Sequence, residues 1–165
     1  MISCVLVAVR VRATPERAFD VFVREIERWW GPSGLFRTTD QGDGAMKFVG
    51  GPGGRLITVL PDGREFEIGR ITTWQPGRKL AFTWHQESFA PTQSTDVEVR
   101  FEPMGEETRV TVEHRGWGEI PQEHAARHGF PERPFLERAA EWWQANLGGY
   151  RAFIAERTSD GKQSS

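Results

Sequence analysis

The sequence predicts an α+β fold in which a curved antiparallel β-sheet wraps around a long C-terminal α-helix. Three observations carry this expectation. Five or six segments between residues 46 and 115 alternate apolar and polar side chains, as strands with one dry and one wet face do. A strand and an amphipathic helix precede them. A long apolar stripe at helical spacing, from Pro134 to about Glu156, follows them.

Taken in order, Val5, Val7, Val9 and Val11 share one parity and mark a strand over 3–12. Thr14-Pro15-Glu16 then supplies an N-cap, a residue suited to the first helical position and an acid for the first turn. Ala18, Phe19, Phe22, Ile26, Trp29 and Trp30 follow at spacings of three and four. One helix is expected over about 15–30, stopped by Gly31-Pro32, with a loop over 31–45. Residues 46–49 read as a short strand carrying Phe48, and Gly50 to Gly54 as a turn. A strand over 55–60 and the tight turn Pro61-Asp62-Gly63 come next. Residues 64–74 form a long strand with a bulge at Gly69, its alternation putting Arg70, Thr72 and Trp74 on one face.

In the next three strands the inward parity is carried by Leu80, Phe82 and Trp84, by Val97, Val99 and Phe101, and by Val110, Val112 and His114. The opposite parity holds Asp96, Glu98, Arg100, Arg109, Glu113 and Arg115, a solvated face. Residues 116–131 read as irregular, with a short helical turn near 121–128. Leu136, Ala139, Ala140, Trp143, Leu147, Tyr150, Phe153 and Ile154 stripe the last helix. Gly148-Gly149 inside it costs about 1 kcal/mol per glycine against alanine, so the pair implies close backbone packing or a bend. Residues 1–157 are expected to form one domain and 158–165 a disordered polar tail.

The chain has 165 residues, enough to bury about 70% of the surface its open form exposes. One cysteine, Cys4, excludes an intrachain disulfide and a Cys-rich zinc site and fits a reducing cytoplasm. A formal charge of -2 argues against bulk attraction to nucleic acid or an anionic membrane. No apolar run reaches the length of about 18 residues that crosses a bilayer, and no signal peptide is read at the start. Lysine occurs only at 47, 79 and 162, the other basic residues being arginine, as in a GC-rich bacterial genome.

No catalytic set assembles from the residues. There is no Gly-x-Ser-x-Gly elbow, and Cys4 reads as a structural thiol. Gly50-Gly51-Pro52-Gly53-Gly54-Arg55 opens a strand and lacks the Lys-Ser/Thr of a phosphate loop. His124 and His128 sit four apart without a third metal ligand and read as a surface pair. Glu65 with Glu67, and Asp96 with Glu98, read as sheet surface. No cofactor and no metal are expected.

The seven tryptophans are the strongest positive signal: they either fill the core or line a pocket. The pocket candidates come from every element. They are Trp29, Trp30, Phe48, Arg70, Thr72, Trp74, Phe82 and Trp84 from the first half. Val97, Val99, Phe101, Val112, His114, Trp117, Trp143, Leu147 and Tyr150 come from the second. His114 stands on an apolar face and needs a partner. That partner is a backbone group, a Trp N–H, or a ligand that the imidazole orients.

Several stretches resemble a known family. Ala13-Thr14-Pro15-Glu16-Arg17-Ala18-Phe19 resembles its first helix start, and Trp29-Trp30-Gly31 the end of that helix. Gly53-Gly54-Arg55 resembles its Gly-Gly-Arg strand entrance. Gly69-Arg70-Ile71 through Trp74-Gln75-Pro76 and Leu80-Ala81-Phe82-Thr83-Trp84 resembles its Gly-x-Val…Pro…Leu-x-Phe-x-Trp run. Thr108 to His114 resembles its penultimate strand, and Trp143, Leu147 and Tyr150 its final helix. The family is that of the C-terminal domain of the activator of heat-shock-protein-90 ATPase, within the START-related, Bet v 1-like SRPBCC superfamily. Trp142, where a glycine is common, and Gly148-Gly149 depart from its pattern.

The resemblance implies the helix-grip fold. It also implies three functional expectations. The first is binding, without turnover, of a small apolar or aromatic molecule between sheet and C-terminal helix. The second is a protein-interaction module that touches a chaperone. The third is a polyketide cyclase-like enzyme using His114 or Arg70. Homodimerisation is compatible with all three and demanded by no sequence feature.

Overall fold

The computed structural model describes residues 4–31, 45–85, 93–117, 120, 124 and 130–163. Its elements are β1 (Cys4–Val11), α1 (Pro15–Arg24), α2 (Ile26–Trp29), β2 (Ala45–Val49) and β3 (Arg55–Val59). They continue with β4 (Glu65–Gln75), β5 (Lys79–Trp84), β6 (Thr95–Met104), β7 (Glu107–Arg115) and α3 (Glu132–Gln163). The strands make one sheet in the order β1-β7-β6-β5-β4-β3-β2, antiparallel at every pairing. The first strand pairs the last, and β2 and β1 are the two edges. This is the expected curved sheet with its long C-terminal helix. The expected turn near 121–128 and nearly all of the 31–45 loop lie outside the described residues.

Register converts the sequence alternation into continuous apolar rows. Val7 pairs Val112, Val112 pairs Val99, Val99 pairs Leu80, and Leu80 pairs Trp74. A parallel row runs Val5, His114, Val97, Phe82, Ile71. These rows form the inner face, against which α1, α2 and α3 pack.

β4 departs from strict alternation. Leu56 pairs Gly69 but Ile57 pairs Glu67, leaving Ile68 as an extra residue. Ile71 pairs Phe82 but Thr73 pairs Ala81, leaving Thr72 extra. The two bulges turn Ile68, Ile71 and Trp74 toward the helices. Arg70 and Thr72, which simple alternation places on that side, are exposed. The bulge expected at Gly69 is thus present, and its glycine is required. A Cβ there would fall 1.7 Å from the Thr83 carbonyl oxygen.

The helix expected over 15–30 is broken. α1 has the expected Thr14 cap, whose hydroxyl accepts from the Arg17 N–H at 3.2 Å. It ends where Glu25 leaves helical geometry at φ -122°, ψ 24°, and the short α2 follows. Glu25 is held by Arg157 of α3 at 3.0 Å.

α3 starts near the expected position and continues to Gln163, past the end expected near Glu156. Residues 157–163 contain no proline, and adding residues to an anchored helix costs far less than starting one. Its seam is Phe135, Ala139, Trp143, Leu147, Tyr150 and Ile154, all fully buried. Each large side chain of that seam contributes about 1.5–3 kcal/mol of burial.

Two polar contacts fix α3 against the first helices. The Tyr150 hydroxyl donates to the Ala18 carbonyl at 2.5 Å. Asn146 Oδ1 accepts from the Gly31 N–H at 2.8 Å. Gly149 permits this approach, since a Cβ there would sit 3.0 Å from the Trp29 carbonyl oxygen, whereas Gly148 faces open space.

The two glycines therefore respond oppositely to alanine. Gly148→Ala is expected to gain about 1 kcal/mol of helix propensity. Gly149→Ala forces α2 and α3 apart and is expected to lose a net of up to about 2 kcal/mol, because overpacking of about 1–3 kcal/mol offsets the same propensity gain of about 1 kcal/mol. Urea midpoints of the two variants, measured side by side, check this. Equal shifts would contradict the close approach.

Candidate functional site

On the inner face, near the end of β7, stands His114, fully buried. Its Nδ1 accepts from the Trp143 indole N–H at 3.1 Å, so the ring proton is assigned to Nε2. Nε2–H donates to Thr95 Oγ1 at 2.7 Å, and the Thr95 hydroxyl donates to the Trp84 carbonyl at 3.2 Å. The chain runs from α3 through β7 and β6 to β5 and uses both imidazole nitrogens. Burial pushes the His114 pKa down to about 3, so the ring is neutral near pH 7.

Around it the aromatic side chains pack ring against ring. His114 lies 4.9 Å from Trp117, whose ring meets Phe135 at 5.0 Å. Trp142 meets Trp143 at 5.2 Å and Trp84 at 5.5 Å, while Trp30 meets Trp143 at 5.4 Å. A second group joins α1, α2 and α3: Phe22 to Trp29 at 4.9 Å, and Trp29 to Tyr150 at 5.0 Å. These spacings suit tilted and edge-to-face contact. Of the candidate lining residues, Trp29, Phe82, Trp84, Val97, Val99, Phe101, Val112, His114, Trp117, Trp143, Leu147 and Tyr150 are all buried in this core.

Phe48 and Trp74 are placed differently. They are half-buried and share a cleft of about 440 Å³ with Val23, Arg24, Glu27, Met46, Lys47, Gly50 and Gly51. Local structure explains the opening. α1 and α2 meet at the Glu25 kink, and both lie against β2. The β2–β3 turn carries left-handed Gly50 and Gly51 at φ 88° and 57°, which a side chain would strain. The turn lies against the Trp74 ring, 3.8 Å from a Cβ built at Gly51. Trp74 is braced edge-on by Phe19 at 5.1 Å, and Phe48 by Phe82 at 5.3 Å. The apolar walls are thus Val23, Met46, Phe48 and Trp74, with charge at the rim.

Sequence reasoning missed Val23, Arg24, Glu27 and Met46 as cleft residues, and Thr95 as the partner of His114. Parity with Phe48 was a signal for Met46, and the spacing of four between Val23 and Glu27 a signal for the helix side. Trp142, noted only as a departure from pattern, belongs to the ring cluster around His114.

The outer face is a charged network. Glu113 accepts from Arg115 at 2.6 Å and from Arg100 at 3.0 Å. The Arg115 hydrogen bond, aided by Arg100 against the opposing effect of partial burial, lowers its pKa to about 2. Burial, then the neighbouring Glu113 carboxylate, raises the Cys4 thiol, which bonds Glu113 at 3.5 Å and stays protonated. Glu98 pairs with Lys79 and Arg100, and Glu67 lies near Arg55 and Arg70, so these carboxylates serve the sheet surface. Among the described residues no three His, Cys, Asp or Glu side chains are grouped to hold a metal. His128, half of the surface pair, lies outside them. No described helix is long and apolar enough to cross a membrane.

The sheet and gripping helix define a Bet v 1-like, SRPBCC fold. Residues 12–147 match the family described as Activator of Hsp90 ATPase homolog 1-like protein, and the chain belongs to that family. Solved structures agree on the fold. Protein MLL2253 from Mesorhizobium loti is 17% identical with TM-score 0.64, the alignment covering 94% of this chain and 98% of that one. The Aha1 dimer from Colwellia psychrerythraea is 13% identical with TM-score 0.63, covering 92% and 95%. PFC0360w, an HSP90 activator from Plasmodium falciparum, is 17% identical with TM-score 0.61, covering 93% and 96%. No sequence among the curated proteins matches.

The His114 chain has a pH signature. The folded ring resists protonation down to about pH 3, whereas the unfolded ring protonates near its ordinary 6.5. The unfolded state binds more protons in that window, so stability falls as pH drops, by about 1.4 kcal/mol per pH unit. The loss due to Glu113 starts lower, as pH falls through the ordinary carboxylate range toward about 2. Urea unfolding at pH 6.5 and 5 is expected to show a loss of about 2 kcal/mol from His114. His114→Gln is expected to be less stable at pH 7 by about 2–4 kcal/mol, through orphaned partners, and to lack that share of the pH loss. The same slope in both proteins would contradict the assignment.

Proposed function

We propose that this protein is a non-catalytic binder of a small apolar or aromatic molecule. The ligand seats on the concave side of the sheet, in the cleft between α1–α2 and β2. The observation that carries the reading is the apolar wall of Val23, Met46, Phe48 and Trp74 around about 440 Å³, a volume suited to a small ligand. Behind Trp74 and Phe48 stand the buried rings of Phe19, Phe22 and Phe82.

Two observations weigh against the alternatives. His114 spends both ring nitrogens on Trp143 and Thr95, and Arg70 is exposed on the outer face. Neither of the groups proposed for a cyclase-like step is offered to a substrate in the cleft. A chaperone-docking role finds support in the family description and in the neighbour from Plasmodium falciparum. The exposed large apolar side chains among the described residues, however, are Leu6 on β1 and Val49 on β2, at opposite edges of the sheet. They do not form one patch.

Titration with 1-naphthalenemethanol, followed by calorimetry and tryptophan emission, tests the proposal. Saturable binding is expected, weakened about tenfold or more by either Phe48→Ala or Trp74→Ala, or about 1.4 kcal/mol. Absence of binding up to the solubility of the probe, or binding indifferent to both substitutions, would overturn it.

A further inference from the structure

We infer that β1 is a self-association edge: two copies of this chain pair through it, antiparallel, joining two seven-stranded sheets into one. This goes beyond the ligand-binding reading and does not depend on it. Register decides which backbone groups the edge offers. Met104 pairs Glu107 across the two-residue turn Gly105-Glu106, and a turn that short closes on a hydrogen-bonded pair. Such pairs alternate along an unshifted ladder. The odd-numbered residues of β7 therefore bond β6, and its even-numbered residues bond β1. Val5, Val7, Val9 and Val11 pair with those even-numbered residues. The N–H and C=O groups of Cys4, Leu6, Ala8 and Arg10 consequently point off the sheet, where no strand among the described residues meets them.

Little guards this edge. β1 pairs β7 over eight residues without a bulge and contains no proline. Leu6 is 61% exposed on its outer face, beside exposed Ala8. β2, the other edge, is five residues long and carries exposed Lys47, a charge that discourages pairing. A long, regular, apolar edge takes up another strand. The strand that complements β1 is a second β1. A two-fold axis at Val7 gives the register that engages all four outward-pointing residues at once. Leu6 then lies opposite Ala8 of the second copy, and Cys4 opposite its Arg10. Charge agrees with this arrangement. Arg10 is exposed, and its ion pair with Glu107 is open at 4.0 Å. At the Cys4 end, Glu113 Oε2 accepts from both Arg100 and Arg115, whereas Oε1 accepts from the Cys4 thiol, a weak donor, at 3.5 Å. The two-fold brings each Arg10 toward the Glu113 carboxylate of the other copy. One strand pair is smaller than a standard interface of about 800 Å² per partner, so the dimer is weak and reversible.

Sedimentation equilibrium of the full chain tests this, with amide hydrogen exchange read by NMR. The mass is expected to rise from one copy toward two as concentration goes from about 10 μM to about 1 mM. The Leu6 and Ala8 amides should exchange more slowly over the same range, while those of Val5 and Val7 are protected throughout. Leu6→Lys and Ala8→Pro should each weaken the dimer about tenfold or more. Leu6 and Ala8 are exposed, and the Ala8 N–H makes no bond to β7, so tryptophan emission should show both variants folded. Val49→Lys, on the opposite edge, should leave the dimer intact. A monomer at every concentration up to about 1 mM, or growth past two copies, would overturn the inference. So would a dimer that is indifferent to both β1 substitutions, that is lost with Val49→Lys, or that leaves Leu6 and Ala8 exchanging as fast as in the monomer.

Discussion

The molecule depends on a line of hydrogen bonds through its buried core. Trp143 gives its indole proton to His114, His114 gives its own to Thr95, and Thr95 gives its own to a β5 carbonyl. Each group is buried, so each would cost about 1–3 kcal/mol if left alone. Together they fix the rotation of α3 about its axis and its height over β5, β6 and β7. Apolar burial supplies most of the gross stabilisation but is indifferent to small slides. The polar line supplies the registration. Asn146 and Tyr150 repeat the device one and two turns further along, against the end of α2 and against α1.

Once α3 is fixed, the positions of the other parts follow. Gly149 lets α2 come close, and α1 and α2, on either side of the kink at Glu25, both lie against β2. Met46 and Phe48 are left facing a gap bounded by α1 and by Trp74 from β4. The cleft is a by-product of how the helices are tethered. Its walls are rigid because Phe19 and Phe82 brace Trp74 and Phe48 from behind. Rigid, pre-formed apolar walls lower the ordering cost of taking up a ligand.

Much of the architecture was legible in the residues. Strands β5, β6 and β7 pair without irregularity, so simple alternation identified their inner residues, His114 included. The apolar spacing from Ala139 to Ile154 identified the seam of α3. The wrong placements came from local departures that alternation cannot register. Two extra residues in β4 exchange Arg70 and Thr72 for Ile71 on the inner face. One residue out of helical geometry, Glu25, splits what periodicity reads as a single helix. The cleft was harder still. Val23, Met46 and Trp74 come from three elements far apart in sequence, and only the tertiary packing brings them together. The partners of His114 were equally hidden, although a tryptophan N–H was among the donors its burial called for.

The most direct measurement is solution NMR of the isotope-labelled protein with 1-naphthalenemethanol, recording intermolecular contacts and the Trp143 indole N–H together. The account predicts contacts from the probe to the Met46 methyl and to ring protons of Phe48 and Trp74. The Trp143 N–H should remain hydrogen-bonded and the His114 Nδ1 unprotonated. Contacts to Trp84, Trp117 and Trp143 instead, with loss of the Trp143–His114 bond, would mean that the ligand enters by parting α3 from the sheet. The fixed registration proposed here would then be wrong.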